Sequence, residues 1–281
     1  MKPVAVVGGI AAAGVVGYLA WLARHRAAWT VLLTKRIPDH HVYWGERGRA
    51  DPDAVLYLAL GDSAALGLGA STPERGYVGI VAREIAHITG RRVRVRNLAI
   101  DGATCAVVIA DELHRIPKAP AAVCTLDVGA NDIWSFEPSR FREEFDRICA
   151  ALPPGAIVAD LPSFSPLPIS GRVQRANRIV HEVAAAHGLT VAPLNVTTRR
   201  GGPVIAIRNA AGDLFHPNDR GHRVWAEAFL PAVRARLEAV DVAGRTAVSD
   251  TDANGPSRSD HRRRSDPTGP GWPSSADGTK Q

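Results

Sequence analysis

AVLYLALGDSAALGLG, residues 54–69, decides the fold. Its first seven residues form an unbroken apolar run. A strand of that kind is covered on both faces, as in a parallel sheet packed between helices. The run stops at Gly61-Asp62-Ser63, a turn and helix-start sequence. Moving outward, the same alternation repeats. Residues 76–89 form an amphipathic helix with Val78, Val81, Ala82 and Ile85 on one side. RVRVRNLA (92–99) alternates strictly and predicts a strand with one wetter face. Residues 104–114 read as helix, 121–129 as buried strand, 138–152 as helix and 156–161 as strand. Residues 172–187 read as helix, 189–194 as strand and 221–240 as the last helix. Five strands separated by helices predict a three-layer α/β/α sandwich around a five-stranded parallel sheet.

Four regions are expected along the 281 residues. Residues 1–35 hold a hydrophobic anchor or signal helix, because residues 3–23 carry no charge. At 1.5 Å per residue that segment reaches about 30 Å, the thickness of a bilayer core. Cleavage after Ala20 or Ala23 would place Tyr18 or Trp21 where a signal peptidase wants a small residue. An uncleaved anchor is therefore the expectation, with the membrane as partner and the side of the membrane open. A cleaved signal, and so an exported form, stays open. Residues 36–53, with Pro38, Gly45, Gly48 and Pro52, read as a linker. Residues 54–240 read as the globular domain. Residues 241–281, rich in Ser, Asp, Gly, Pro and Arg, read as a disordered tail.

The net charge of +6 lies outside that tail, whose acidic and basic residues balance. Arginines are scattered rather than grouped with aromatics, so no nucleic-acid module is expected. Cys105, Cys124 and Cys149 sit among apolar neighbours and lack zinc spacing, which predicts small buried hydrophobes.

Four short blocks carry chemistry, each expected just beyond a strand of the parallel sheet, where such sheets place their sites. Ser63 sits on the strand-to-helix turn, exposed as a nucleophile needs to be and surrounded by backbone N–H groups. The G-x-S-x-G elbow is absent, since Ala65 replaces its second glycine. NLAIDGAT (97–104) offers the Gly102 N–H, and GAND (129–132) offers the neutral amide of Asn131. In DLFHP (213–217), Asp213 stands three residues before His216 and can orient its imidazole as a base. The same spacing recurs in Asp111/His114, read as surface, and in Asp219/His222, read as packing or capping.

These blocks, in order over residues 56–237, resemble the SGNH hydrolase family, also called GDSL esterases/lipases. The resemblance implies a flavodoxin-like fold and a serine hydrolase of carboxylic esters, working through an acyl-enzyme without metal or cofactor. It implies Ser63 as nucleophile, Asp213 and His216 as acid and base, and an oxyanion hole of Ser63 N–H, Gly102 N–H and the Asn131 amide. Small-molecule or lipid esters are the implied substrates. An acyltransferase on the same residues, or a non-catalytic envelope-binding module, remains open. Ala64 replaces the leucine of the name motif, and Asp101 stands where a small residue is frequent. An anion beside an oxyanion hole would bear on substrate preference.

Overall fold

The computed structural model describes residues 3–164 and 169–253, with side chains from Val16 to Val240. The sheet is formed by β1 (Val55–Gly61), β2 (Val93–Asn97), β3 (Val123–Asp127), β4 (Ile157–Ala159) and β5 (Thr190–Ala192). All pairings are parallel, and the strand order is β2-β1-β3-β4-β5. The helices are α1 (Pro3–Arg47), α2 (Ser63–Leu66), α3 (Tyr77–Thr89), α4 (Cys105–Val107), α5 (Pro138–Ala151), α6 (Ser170–Ala186), α7 (Leu194–Arg199), α8 (Gly202–Asn209) and α9 (Asp219–Ala253). Beyond α4 the chain widens into a π turn over Val108–Glu112 and tightens into a 3-10 turn over Leu113–Arg115.

The three-layer sandwich is as expected, and strand alternation explains it. Tyr57 and Ala59 of β1 point into a core with Tyr77, Val81 and Ile85 of α3 and Phe229 and Val233 of α9. Leu58 and Leu60 point into the opposite core with Phe141 and Phe145 of α5 and Val173 and Val180 of α6. Every residue of β1 is buried, which is why its run lacks polar alternation. All three cysteines are free and buried, and burial raises each thiol above its ordinary value.

The amino-terminal region departs from expectation. Residues 36–47 are helical and continuous with α1, so the linker reading fails there. Pro38 removes one helical hydrogen bond. Packing compensates. Leu33, Ile37, His40 and Trp44 recur on one helix face, and Leu33, His40 and Trp44 are buried. The His40 imidazole and the Trp44 indole both hydrogen-bond the Leu66 carbonyl, at 3.1 and 2.8 Å. Arg36 donates to the carbonyls of Ala70 and Ser71. The expected anchor over residues 3–23 finds no support: among the described residues no helix is long and apolar enough to cross a membrane. Side chains before Val16 lie outside the described residues.

The described residues up to Val242 form one compact unit, and those from Ala243 to Ala253 belong to another. Helix α9 runs to Ala253, so the expected tail begins helical; its remainder lies outside the described residues.

Candidate active site

The chain enters the site through Gly61. Its φ is +137°, and a Cβ there would come within 2.1 Å of the Asp127 carbonyl oxygen. Only glycine lets β1 and β3 run this close at their carboxyl ends. Asp62 then caps α2, accepting from the Ala64 N–H at 2.9 Å. Ser63 opens α2 and is buried but for its edge on the site.

The distant partner arrives on the loop before α9. Asp213 Oδ1 accepts from the N–H groups of both Phe215 and His216, at 3.1 Å each. This turn forces Leu214 to a left-handed φ of +58°, a conformation that costs a non-glycine residue about 1–2 kcal/mol. The Ala210–Pro217 bridge and the 2.7 Å bond from Ala211 N–H to the His216 carbonyl hold it closed. Asp213 Oδ2 lies 2.6 Å from His216 Nδ1, and His216 Nε2 lies 3.0 Å from Ser63 Oγ. Burial pushes the Asp213 carboxyl up. The His216 bond and charge and the two N–H donors outweigh it, and the carboxyl is held below its ordinary value. Gly69 permits the approach of the two segments. Its φ is +89°, and a Cβ there would sit 2.2 Å from the Pro217 carbonyl oxygen and 3.0 Å from His216 Cβ.

The two middle blocks close on the same point. Asn131 Nδ2 donates to the Ala103 carbonyl at 3.0 Å and to Asp62 Oδ2 at 3.3 Å. It thereby ties together the neighbours of Gly102 and of Ser63. Gly102 has a φ of +70°, and a Cβ there would meet nothing within 4 Å, so the space above it is open. Asp101 is exposed. The Asn97 amide donates to the Ala65 carbonyl, and its Oδ1 accepts from Ala99 N–H, bracing α2 and the second block.

Buried acids stand behind the site. Asp62 is raised well above its ordinary value by burial and by Asp127. Asp127 is pushed up to about 7 by burial, against the indole N–H that Trp225 donates to it at 2.7 Å. Glu112, carried on the π turn, accepts from Gly61 N–H at 3.0 Å and is pushed up to about 8, chiefly by burial. Among the described residues its Oε1 has no hydrogen-bond partner. Sequence reading missed Asp127 and Glu112. The unusual turn that carries Glu112 has no signature in sequence.

The competing pairs take other roles, as expected. His222 is fully buried; its Nδ1 accepts from Tyr77 N–H and its Nε2 donates to the Leu68 carbonyl. Burial lowers it to about 4, so it stays neutral. Asp219 faces away, onto Ser71 and Arg75. His114 is exposed and turns back to the Ala110 carbonyl. Among the described residues no cluster of His, Cys, Asp and Glu has the grouping of a metal site.

A cavity of about 420 Å³ opens beside His216. Phe164, Ile207, Phe215 and Trp225 give it apolar walls, and Arg26 lines it from α1. Ser163 and Phe164 also line the cavity, and residues 165–168 lie outside the described residues. Helix α8, unforeseen in the sequence, contributes Ala206 and Ile207. Two other hollows, of about 610 and 470 Å³, contain none of the four blocks.

The sequence profile of the GDSL-like lipase/acylhydrolase family matches residues 59–224, from within β1 to beyond His222. The chain belongs to that family. Solved structures share the fold of this family member. LAE5, described as an α/β hydrolase enzyme from the metagenome of Lake Arreo, is 21% identical with a TM-score of 0.53, covering 68% of this chain and 99% of its own. The acetylxylan esterase Axe2 of Geobacillus stearothermophilus is 18% identical with a TM-score of 0.52, covering 64% and 94%. TesA is 19% identical with a TM-score of 0.54, covering 65% and 99%. No match was found among curated proteins.

Proposed function

We propose that this GDSL hydrolase cleaves carboxylic esters through an acyl-enzyme on Ser63. The observation that carries the reading is the hydrogen-bonded series Asp213–His216–Ser63 at the edge of a mostly apolar cavity. His216 Nε2 takes the Ser63 proton as Oγ attacks the acyl carbonyl carbon. Asp213, held as a carboxylate, fixes the Nδ1–H tautomer and stabilises the imidazolium that forms. The tetrahedral oxyanion rests on the N–H groups of Ser63 and Gly102. Asn131 joins them by releasing its longer bond, the 3.3 Å contact to Asp62. The alcohol leaves with the proton from His216. Water, deprotonated by His216, then attacks the acyl carbon and returns Ser63 as the alcohol, releasing the acid.

The test is labelling by a fluorophosphonate probe together with hydrolysis of p-nitrophenyl esters. The wild type should label once and turn over. Ser63→Ala should neither label nor turn over, with an unchanged melting temperature. Wild-type turnover in Ser63→Ala would refute the assignment.

A further inference from the structure

The cavity beside His216 has one charged wall. Among its described lining residues there is no carboxylate, and Arg26 is the single permanent cation. Its other walls are mostly apolar, and Trp134, Ile207, Leu214 and Phe215 leave large surfaces exposed around it. Arg75, Arg92, Arg142 and Arg234 find carboxylates, while Arg83 and Arg91 bond backbone carbonyls. Arg26 forms no ion pair among the described residues; its Nε donates instead to the Asp213 carbonyl at 3.0 Å.

That bond orients the guanidinium. With Nε committed, the two terminal amino groups remain for another acceptor. Their planar edge matches a carboxylate or phosphate in bidentate fashion. The helix beneath is held in place. The Trp29 ring lies where a Cβ on Gly212 would go, and Arg36 bonds the carbonyls of Ala70 and Ser71. The Asp213 side chain is turned to His216, so Arg26 meets its backbone carbonyl and not its carboxylate. Asp101 is not among the lining residues.

We propose that Arg26 determines specificity, selecting esters whose apolar arm lies in the cavity and carries an anionic group that the Arg26 guanidinium holds. The proposal rests on the Ser63 hydrolase reading and names its substrate class. The amino-terminal helix is then a wall of the active site.

The experiment uses the full chain and paired substrates: mono-p-nitrophenyl esters of linear dicarboxylic acids, with a free terminal carboxylate, against their terminal methyl esters of equal length. The wild type should show the higher kcat/KM on the charged member at the arm length that reaches Arg26. Added salt should shrink the preference. Arg26→Gln keeps a donor for the Asp213 carbonyl and removes the charge. It should lower the charged-to-neutral ratio by about tenfold, mainly through KM. Arg26→Lys should restore part of the ratio. Hydrolysis of both members without charge preference at any arm length overturns this proposal alone. So does an equal loss on both in Arg26→Gln, which would make Arg26 only a brace for the Asp213 loop. Failure of the wild type on every ester overturns the hydrolase reading and this proposal with it.

Discussion

Two Asp-x-x-His pairs lie six residues apart in this chain, Asp213/His216 and Asp219/His222, and they meet opposite fates. In the first, the carboxylate is buried and the imidazole reaches Ser63. In the second, the imidazole is buried and the carboxylate faces Ser71 and Arg75. The backbone makes the difference. Residues 213–216 form a strained loop turn in which the carboxylate caps its own N–H groups and folds onto the ring. Residues 219–222 are the first turn of α9, and the side chains point to different neighbours. Equal spacing gives equal reach, and the surroundings decide whether the histidine meets Ser63 or stays in the core.

The largest effect should come from exchanging these roles. His216→Ala is expected to lower ester turnover by about 10⁴- to 10⁶-fold with little loss of stability. His222→Ala should do the reverse. It strands Tyr77 N–H and the Leu68 carbonyl and leaves a cavity, a destabilisation of about 3 kcal/mol. Its folded fraction should remain active. Ester assays beside urea denaturation check both; activity lost in His222→Ala and kept in His216→Ala would reverse the two roles.

Next comes the contact that holds the first pair against Ser63. Gly69→Ala sets a Cβ against the Pro217 carbonyl in a left-handed conformation. Stability should fall by about 2–3 kcal/mol, and turnover should fall with it as His216 is displaced from Ser63. The same denaturation curve and a kcat measurement read this out.

The smallest effect is a difference in pH dependence. His222 is lowered to about 4 when folded against an ordinary 6.5. The folded state binds fewer protons in that window, so its contribution to stability is lost as pH falls from 6.5 to 4. Glu112 is raised to about 8 against an ordinary 4.5. Here the folded state binds more protons, and stability is lost as pH rises through that window. Glu112→Gln removes the titration while keeping the shape. Relative to the wild type, its melting temperature should improve from pH 5 to about pH 8 and level off above that. A constant offset across that range would place the Glu112 titration elsewhere.

Much of this architecture was legible in the chain because each strand is a local pattern. Runs such as residues 54–60 and 121–129 must be covered on both faces, and helices of matching period stand between them. The four blocks were legible for a related reason: in a parallel sheet, loops after strands gather at one edge. Residues 36–47 misled because Pro38 and Gly45 are punctuation in isolation. The face Leu33-Ile37-His40-Trp44 was the opposing signal, and its weight depended on a partner surface contributed by residues 66 and beyond.

The α/β/α layers, the strands and the ordered blocks that hold Ser63, Gly102, Asn131, Asp213 and His216 could all be read from local pattern in the chain. Packing alone brought Arg26 to the cavity on a helix begun before residue 47 and set Asp127 and Glu112 protonation-sensitive behind Gly61. The physical reason is range. Periodicity and turn chemistry act over a few residues, while a cavity wall assembled from residues 26, 164, 207, 215 and 225 exists only once packing brings them together.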